Sequence, residues 1–215
     1  MQYTVKRLPE DVCCLPLRGV FAPEELPRPY AALETAQIAD YPWDKSGYKP
    51  EAQARVGWNE KGLHALMCAR EETIRAACTE IGGRVCEDSC LEFFCMPFPQ
   101  SDQRYFNAEM NPLATLHLGV GEGRPNRVKV RGELPEGFVT CASRHEGGWW
   151  AVSYTVPMSW IEATFGAPLA AGQVMRGNFY KCDESIHPHF GTWAPVVREQ
   201  PDFHRPECFA EMRLA

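Results

Sequence analysis

Apolar and polar residues alternate along most of this chain, in short runs broken by turn residues. Within the stretch from Cys86 to Pro97, Leu91, Phe93 and Cys95 fall on one side of an extended run, and Cys90, Glu92 and Phe94 on the other. Successive side chains of a strand point to opposite faces, which makes this a strand. Pro97 ends it, having no N–H for a ladder. One face is wholly apolar; the other sets a carboxylate between apolar neighbours, as a cleft lining or a satisfied structural acid. Residues 52–58 repeat the pattern, with Ala52, Ala54, Val56 and Trp58 against Gln53, Arg55 and Gly57. The turn Asn59-Glu60-Lys61-Gly62 leads back into residues 63–70, where Leu63, Ala65, Met67 and Ala69 share a face. The two runs predict a hairpin.

Further strands are predicted over 104–110, 114–120, 127–130, 138–143, 149–156, 174–182 and 207–214. In the first, Phe106, Ala108 and Met110 oppose Tyr105, Asn107, Glu109 and then Asn111. Asn is disfavoured in strands, so two of them flanking a Glu is a costly choice for solubility alone. In 149–156 the alternation points Trp150 to the core and Trp149 away. In 174–182, Arg176, Asn178 and Tyr180 oppose Met175, Phe179 and Lys181. Residues 157–165 predict a short amphipathic helix stopped at Gly166. Residues 71–81 suit another, ended by Gly82-Gly83. Prolines 9, 16, 23, 27, 29, 42 and 50 keep the first fifty residues irregular. Short strands fit at 3–8 and 13–15, a helical turn or edge strand at 33–39, and a loop at 40–44 displays Trp43. Strand-like runs at this spacing predict an all-β fold: a two-sheet antiparallel β-sandwich, immunoglobulin-like or jelly-roll-like, with one short helix. No repeat or linker divides residues 1–215, so they form a single domain, with residues 1–40 as an irregular segment packed on it.

The 215 residues carry a net charge of −6. Phosphate binding needs clustered Lys and Arg, and the basic residues here are scattered, which argues against nucleic acid. No apolar run reaches the length of a membrane-spanning helix. The opening Met-Gln-Tyr-Thr-Val-Lys-Arg lacks the pattern of a signal peptide. As given, the chain reads as cytoplasmic, or secreted if a leader was trimmed. Nothing in it sets an oligomeric state. Its ten cysteines read as reduced and mostly buried thiols. Adjacent Cys13 and Cys14 are poorly placed for a mutual bridge, and Cys86, Cys90 and Cys95 match no strong zinc spacing. The Gly-rich loop 119–126 carries Arg124 but lacks the Lys-Ser/Thr of a phosphate loop.

The run Asp88-Ser89-Cys90-Leu91-Glu92-Phe93-Phe94-Cys95-Met96-Pro97 resembles the D-S-V-E-V-F-L-x-P strand of family 9 carbohydrate-binding modules. So do the hairpin 54–63, the strand Tyr105-Phe-Asn-Ala-Glu-Met-Asn111, the run Gly177-Asn-Phe-Tyr-Lys-Cys182, and the ending Trp193-Ala-Pro195 … Pro201-Asp-Phe-His-Arg-Pro-Glu-Cys-Phe209. Each motif is weak alone; their joint order, from about residue 40 onward, is specific. The resemblance implies a β-sandwich of the wider DOMON group that binds a carbohydrate without cleaving it, often with structural calcium.

Sugars offer hydroxyls at the ring edge and C–H groups on its faces. A net hydrogen bond contributes only ~1 kcal/mol, so several must converge while an aromatic plane covers a face. On the strength of the resemblance, the ligand-binding set is Glu92, Asn107, Glu109 and Asn111 as acceptors, Arg124, Asn178 and Lys181 as donors, Tyr180 beside Asn178, and Trp43 and Trp193 as stacking rings. Strand parity sets Lys181 on the opposite face from Asn178. Glu87 and Asp88, with carbonyls of the acidic turn, are the hard oxygen candidates for calcium. Two alternatives use other chemistry. A hydrolase would need the carboxyls of Glu92 and Glu109 ~5–9.5 Å apart. A haem domain would draw ligands from Met67, Met96, Met110, His64, His117 and His204.

Overall fold

A computed structural model describes residues 1–12, 26 and 28–215. The strand expected at 13–15 and the Cys13-Cys14 pair lie outside the described residues. The elements are β1 (Gln2–Arg7), a single helical turn α1 (Arg28–Ala31), β2 (Ala36–Gln37), β3 (Glu51–Asn59), β4 (Gly62–Arg70), β5 (Cys90–Met96), β6 (Tyr105–Met110), β7 (Leu116–Gly121), β8 (Val128–Lys129), β9 (Val139–Arg144), β10 (Trp149–Pro157), helix α2 (Met158–Phe165), β11 (Val174–Asp183), β12 (His189–Thr192) and β13 (Ala210–Leu214). No described helix is long and apolar enough to cross a membrane.

The strands run in the order β8-β7-β6-β5-β11-β13-β1-β3-β4-β10-β9, with β12 beside β11 and β2 beside β3. This path folds over on itself at β1. Gln2–Val5 pairs with β13, and Lys6–Arg7 with β3, both in parallel. The remaining ladders are antiparallel, some through short connections such as β3–β4 and β9–β10, others, such as β4–β10 and β5–β11, between strands distant in the chain. The result is the expected all-β sandwich, with the first strand shared by both sheets. The helix α2 ends at Gly166, whose left-handed φ of 87° suits a residue without a Cβ.

The two inner faces meet in one core. Leu91, Phe93 and Cys95 of β5, Phe106, Ala108 and Met110 of β6, and Met175 and Phe179 of β11 face Val56, Met67, Trp150, Val152 and Tyr154 of the other sheet. Each large apolar side chain so buried contributes about 1.5–3 kcal/mol. These are the faces that strand parity assigns, Trp150 included.

Residues 71–81 form no helix. Asp88 accepts from the N–H groups of Ala77 and Cys78, and Ser89 exchanges hydrogen bonds with the backbone of Arg75. Tertiary partners thus take the donors and acceptors that a helical turn would have used. The expected choice at 33–39 resolves as the edge strand β2. The last strand starts at Ala210, after a 3₁₀ turn over Pro206–Cys208, and the His-containing stretch 189–192 is a strand not foreseen. The eight described cysteines are free thiols; Cys68, Cys90, Cys95 and Cys182 are buried.

Candidate functional site

The outer face of the β5-β6-β11 sheet carries the polar residues. The ladder registers set them in rows across the strands. Tyr180, Glu92, Glu109 and His117 form one row over β11, β5, β6 and β7, and Asn178, Phe94, Asn107 and Gly119 form the next. Cys182 and Cys90 pair in the row on the other side. Partners directly opposite in a ladder have Cβ atoms ~4.5–5.5 Å apart, so the two glutamates are neighbours by construction.

Residues 196–209 roof this face. Val196, Phe203 and Phe209 pack with Phe94, Tyr105, Tyr180 and Cys182 into a second apolar cluster. Phe203 stacks on Tyr180 at 4.1 Å, and Tyr180 Oη donates to the Phe203 carbonyl. Between roof and sheet lies a cleft of about 80 Å³, lined by Cys86, Glu92, Phe94, Glu109, Arg124, Glu184, Phe190, Pro201, Asp202, Phe203 and His204. A wider groove of about 780 Å³ opens beside it, bounded by residues 197–202, Arg205 and the shared Arg124.

Burial, then the neighbouring Glu109, then Glu184, hold the Glu92 carboxyl well above its usual range. Two carboxylates side by side away from water cannot both ionise freely. Cys182 Sγ–H donates to Glu92 Oε1 at 3.0 Å. Burial pushes the Cys90 thiol up to about 12. Asn107 Nδ2 donates to Glu109 Oε1 at 2.6 Å, and Asn107 Oδ1 accepts from Arg127. Arg127 also donates to the carbonyls of Tyr105, Gly119 and Gly123 and lies over the Tyr105 ring. Gly119 makes room for this: a Cβ there would stand 2.7 Å from Asn107 Oδ1. Tyr105 Oη and His204 Nδ1 share a hydrogen bond of 2.8 Å. Burial, with Arg127 and Arg124, pushes His204 down to about 3, which keeps the imidazole neutral.

Of the residues expected at the site, Glu92 and Glu109 stand together in the cleft lining, and Asn107, buried in the next row, donates to Glu109. Arg124 is exposed at its rim, 4.0 Å from Asp202. Trp43 sits half-buried at the outer edge of the roof, against Phe190 and Phe203, with its indole N–H on the Arg198 carbonyl. Tyr180 is on the right face but fully buried under Phe203.

Four others serve the fold. Asn178 exchanges hydrogen bonds with the backbone of Ala194, both at 2.9 Å, and pins the return of the chain across β11. Asn111 holds the turn to Thr115 and donates to Asp88. Trp193 is no loop ring; it is buried edge-on against Tyr3 and beside Phe179 in the main core. Lys181 points through the sheet to the inner side, fully buried, with Nζ 2.9 Å from Glu71 Oε1.

Calcium fits poorly at the acidic turn. Asp88 Oδ2 accepts from Ala77, Cys78 and Asn111, and Oδ1 faces Arg75 at 3.2 Å. Glu87 is engaged by Arg84. Calcium takes six to eight oxygens, and this carboxylate is ringed by N–H donors. The haem candidates are dispersed. Met67 and Met110 lie in the inner core, His64 bonds to Asn59 and Thr155, and His117 to the carbonyls of Gly82 and Gly83.

Arg127, Phe203 and Cys182 were not in the expected binding set, and His204 entered it only as a haem candidate. Arg127 had a signal, as the first residue after the Gly-rich loop. The roof residues had only the family-resemblance motif at 201–209, because no periodicity marks an irregular segment that folds back over a sheet.

A sequence profile described as carbohydrate-binding family 9 matches residues 26–214. The chain belongs to carbohydrate-binding family 9. Modules of this family are non-catalytic, which sets aside the hydrolytic reading of Glu92 and Glu109. Solved family 9 structures share the fold. A module from Caldicellulosiruptor kristjanssonii in complex with glucose superposes with a TM-score of 0.66 at 12% identity, covering 100% of this chain and 96% of that one. The cellotriose complex of a module from that organism gives 0.63 at 10%, covering 100% and 93%. A protein of Bacteroides uniformis ATCC 8492, whose carbohydrate binding is itself an assignment, gives 0.80 at 26% identity, covering 100% and 99%. No curated protein matches the chain.

Proposed function

We propose that this family 9 module holds its carbohydrate at the mouth shared by the cleft and the adjoining groove. The observation that carries this is the row of Glu92 and Glu109 on the cleft floor, under aromatic walls. At about 80 Å³ the cleft is too small to enclose a pyranose, whereas small-molecule sites span ~300–1,000 Å³. The groove, at about 780 Å³, has that room. A sugar edge reaching into the cleft meets Glu109 as acceptor, and Arg124 donates from the rim. Phe190, Phe203 and Trp43 offer apolar surface for the ring face. The neighbours in complex with glucose and cellotriose make β-linked glucose oligomers the first ligands to try.

Calorimetric titration with glucose, cellobiose and cellotriose, alongside Trp43 fluorescence, tests this reading. Hydrogen bonds to charged groups are worth about 1.5–3 kcal/mol. Glu109→Gln and Arg124→Ala should therefore each weaken binding by roughly 10- to 100-fold. Unchanged affinity in the double variant would place the sugar elsewhere.

A further inference from the structure

Cys90 and Cys182 are direct partners across the β5–β11 ladder, and Glu92 follows two residues on from Cys90 on the same face. Their sulfur and carboxylate atoms all lie within 4.8 Å of one another, and all three side chains are buried. The geometry points to a divalent metal site of borderline softness, suited to Zn²⁺, formed by Cys90, Cys182 and Glu92, with Glu92 at the edge of the cleft.

Donor type selects the ion. Two thiolates and one carboxylate suit Zn²⁺ and exclude calcium or magnesium, which take oxygen ligands. Donor spacing agrees. Around a tetrahedral zinc, with Zn–S near 2.3 Å and Zn–O near 2.0–2.2 Å, ligand atoms stand about 3.4–3.8 Å apart. The widest spacing would contract by no more than about 1.4 Å to reach this, and the 3.0 Å between Cys182 Sγ and Glu92 Oε1 would open by about half an ångström as the shared proton leaves. The support is rigid, since all three ligands sit on strands interior to one sheet.

The charge pattern also favours a cation. Two further carboxylates, Glu109 and Glu184, line the cleft beside Glu92. Lys181 lies behind the sheet, bound to Glu71. Metal binding forms two metal–sulfur bonds and one metal–oxygen bond. The two thiol protons, and the carboxyl proton where Glu92 holds one, leave to solvent, and nothing is oxidised or reduced. Glu92 also lines the cleft, so the ion borders it. The fourth position falls to water, the Cys86 thiolate or an oxygen of a bound ligand. Cys95, which shares the sequence cluster, takes no part: its sulfur faces Met175 in the inner core.

The site is tested without sugar, so the outcome is independent of where carbohydrate binds. Fully reduced protein is titrated with Co²⁺ and read by its thiolate charge-transfer and tetrahedral d–d absorption, then back-titrated with Zn²⁺. One Co²⁺ per chain, displaced by Zn²⁺, is expected. Cys90→Ser and Cys182→Ser should each weaken binding by more than about tenfold, a difference of at least about 1.4 kcal/mol, while Cys141→Ser on β9 leaves it unchanged. A serine on the sheet floor can disturb folding, so the isosteric Glu92→Gln and native mass spectrometry of the unaltered chain give a second reading. No thiolate absorption from reduced wild-type protein would overturn the site. So would unchanged affinity in all three ligand variants, or a Cys90–Cys182 disulfide that persists under reductant.

Discussion

The pair Lys181–Glu71 is the sharpest energetic test of this structure. Both side chains are buried, with Nζ 2.9 Å from Oε1. Glu71 Oε2 also accepts from the Trp150 indole N–H at 2.6 Å, Lys181 donates to the Cys182 carbonyl, and His189 Nε2 stands 3.7 Å from Glu71. Removing one member of a buried pair leaves an uncompensated charge and costs about 3–5 kcal/mol. Lys181→Met should lose that much in urea unfolding followed by tryptophan fluorescence, with the m-value unchanged. At about 2–4 °C per kcal/mol for a chain of this size, the melting point falls by roughly 6–20 °C. The double variant Lys181→Met with Glu71→Gln removes both charges and keeps an acceptor for Trp150, so it should recover most of the loss. His189 adds a signature. It is pushed down to about 3 by burial and by Lys181. Without the ammonium it can take up a proton beside Glu71, so the Lys181→Met penalty should shrink as pH falls from 7 toward 5. A loss under about 1 kcal/mol, set against the 3–5 of an orphaned charge, or a double variant as unstable as the sum of the singles, would refute the reasoning.

Three further outcomes follow from particular residues. Burial pushes His64 down to about 4, and His189 and His204 to about 3. Below pH 6.5 the unfolded chain binds protons that the folded one refuses, so stability is complete above that pH and lost as it falls. Between pH 7.5 and 5 the three should cost about 6 kcal/mol together, with proton uptake on unfolding detected by calorimetry in buffers of different ionisation enthalpy. Asn178→Ala leaves the buried Ala194 N–H without its partner, while the Ala194 carbonyl keeps only the Thr192 hydroxyl, and should cost about 1–3 kcal/mol of chemical stability. Gly119→Ala drives a methyl against Asn107 Oδ1; calorimetry should show carbohydrate affinity falling further than the melting point does.

Strand parity carried far into this fold. It set Phe93 and Phe106 inward, Trp150 in the core, Glu92 beside the outer row and Lys181 on the opposite face from Asn178, because an alternating run leaves a side chain only two directions. What parity cannot express is what lies over a face. Asn178 and Tyr180 share a side with Glu92, yet one is spent on Ala194 and the other covered by Phe203, since the roof comes from an irregular segment. Trp193 looked like a displayed ring because prolines and glycines surround it, but packing against Tyr3 and Phe179 outweighed that local signal. The apolar periodicity at 71–81 was real, and Asp88 and Ser89 claimed the backbone groups a helix would have needed. Cys182 meets Cys90 only through the ladder, which no local spacing could announce.

The shared strand has a kinetic consequence. Residues 2–5 find their strand partners in residues 211–214, and residues 6–7 in β3. Ala215 N–H closes the same seam on the Val5 carbonyl. β1 therefore waits for β13, far along the chain, before the two sheets can close on each other. Such distant closure makes for slow folding.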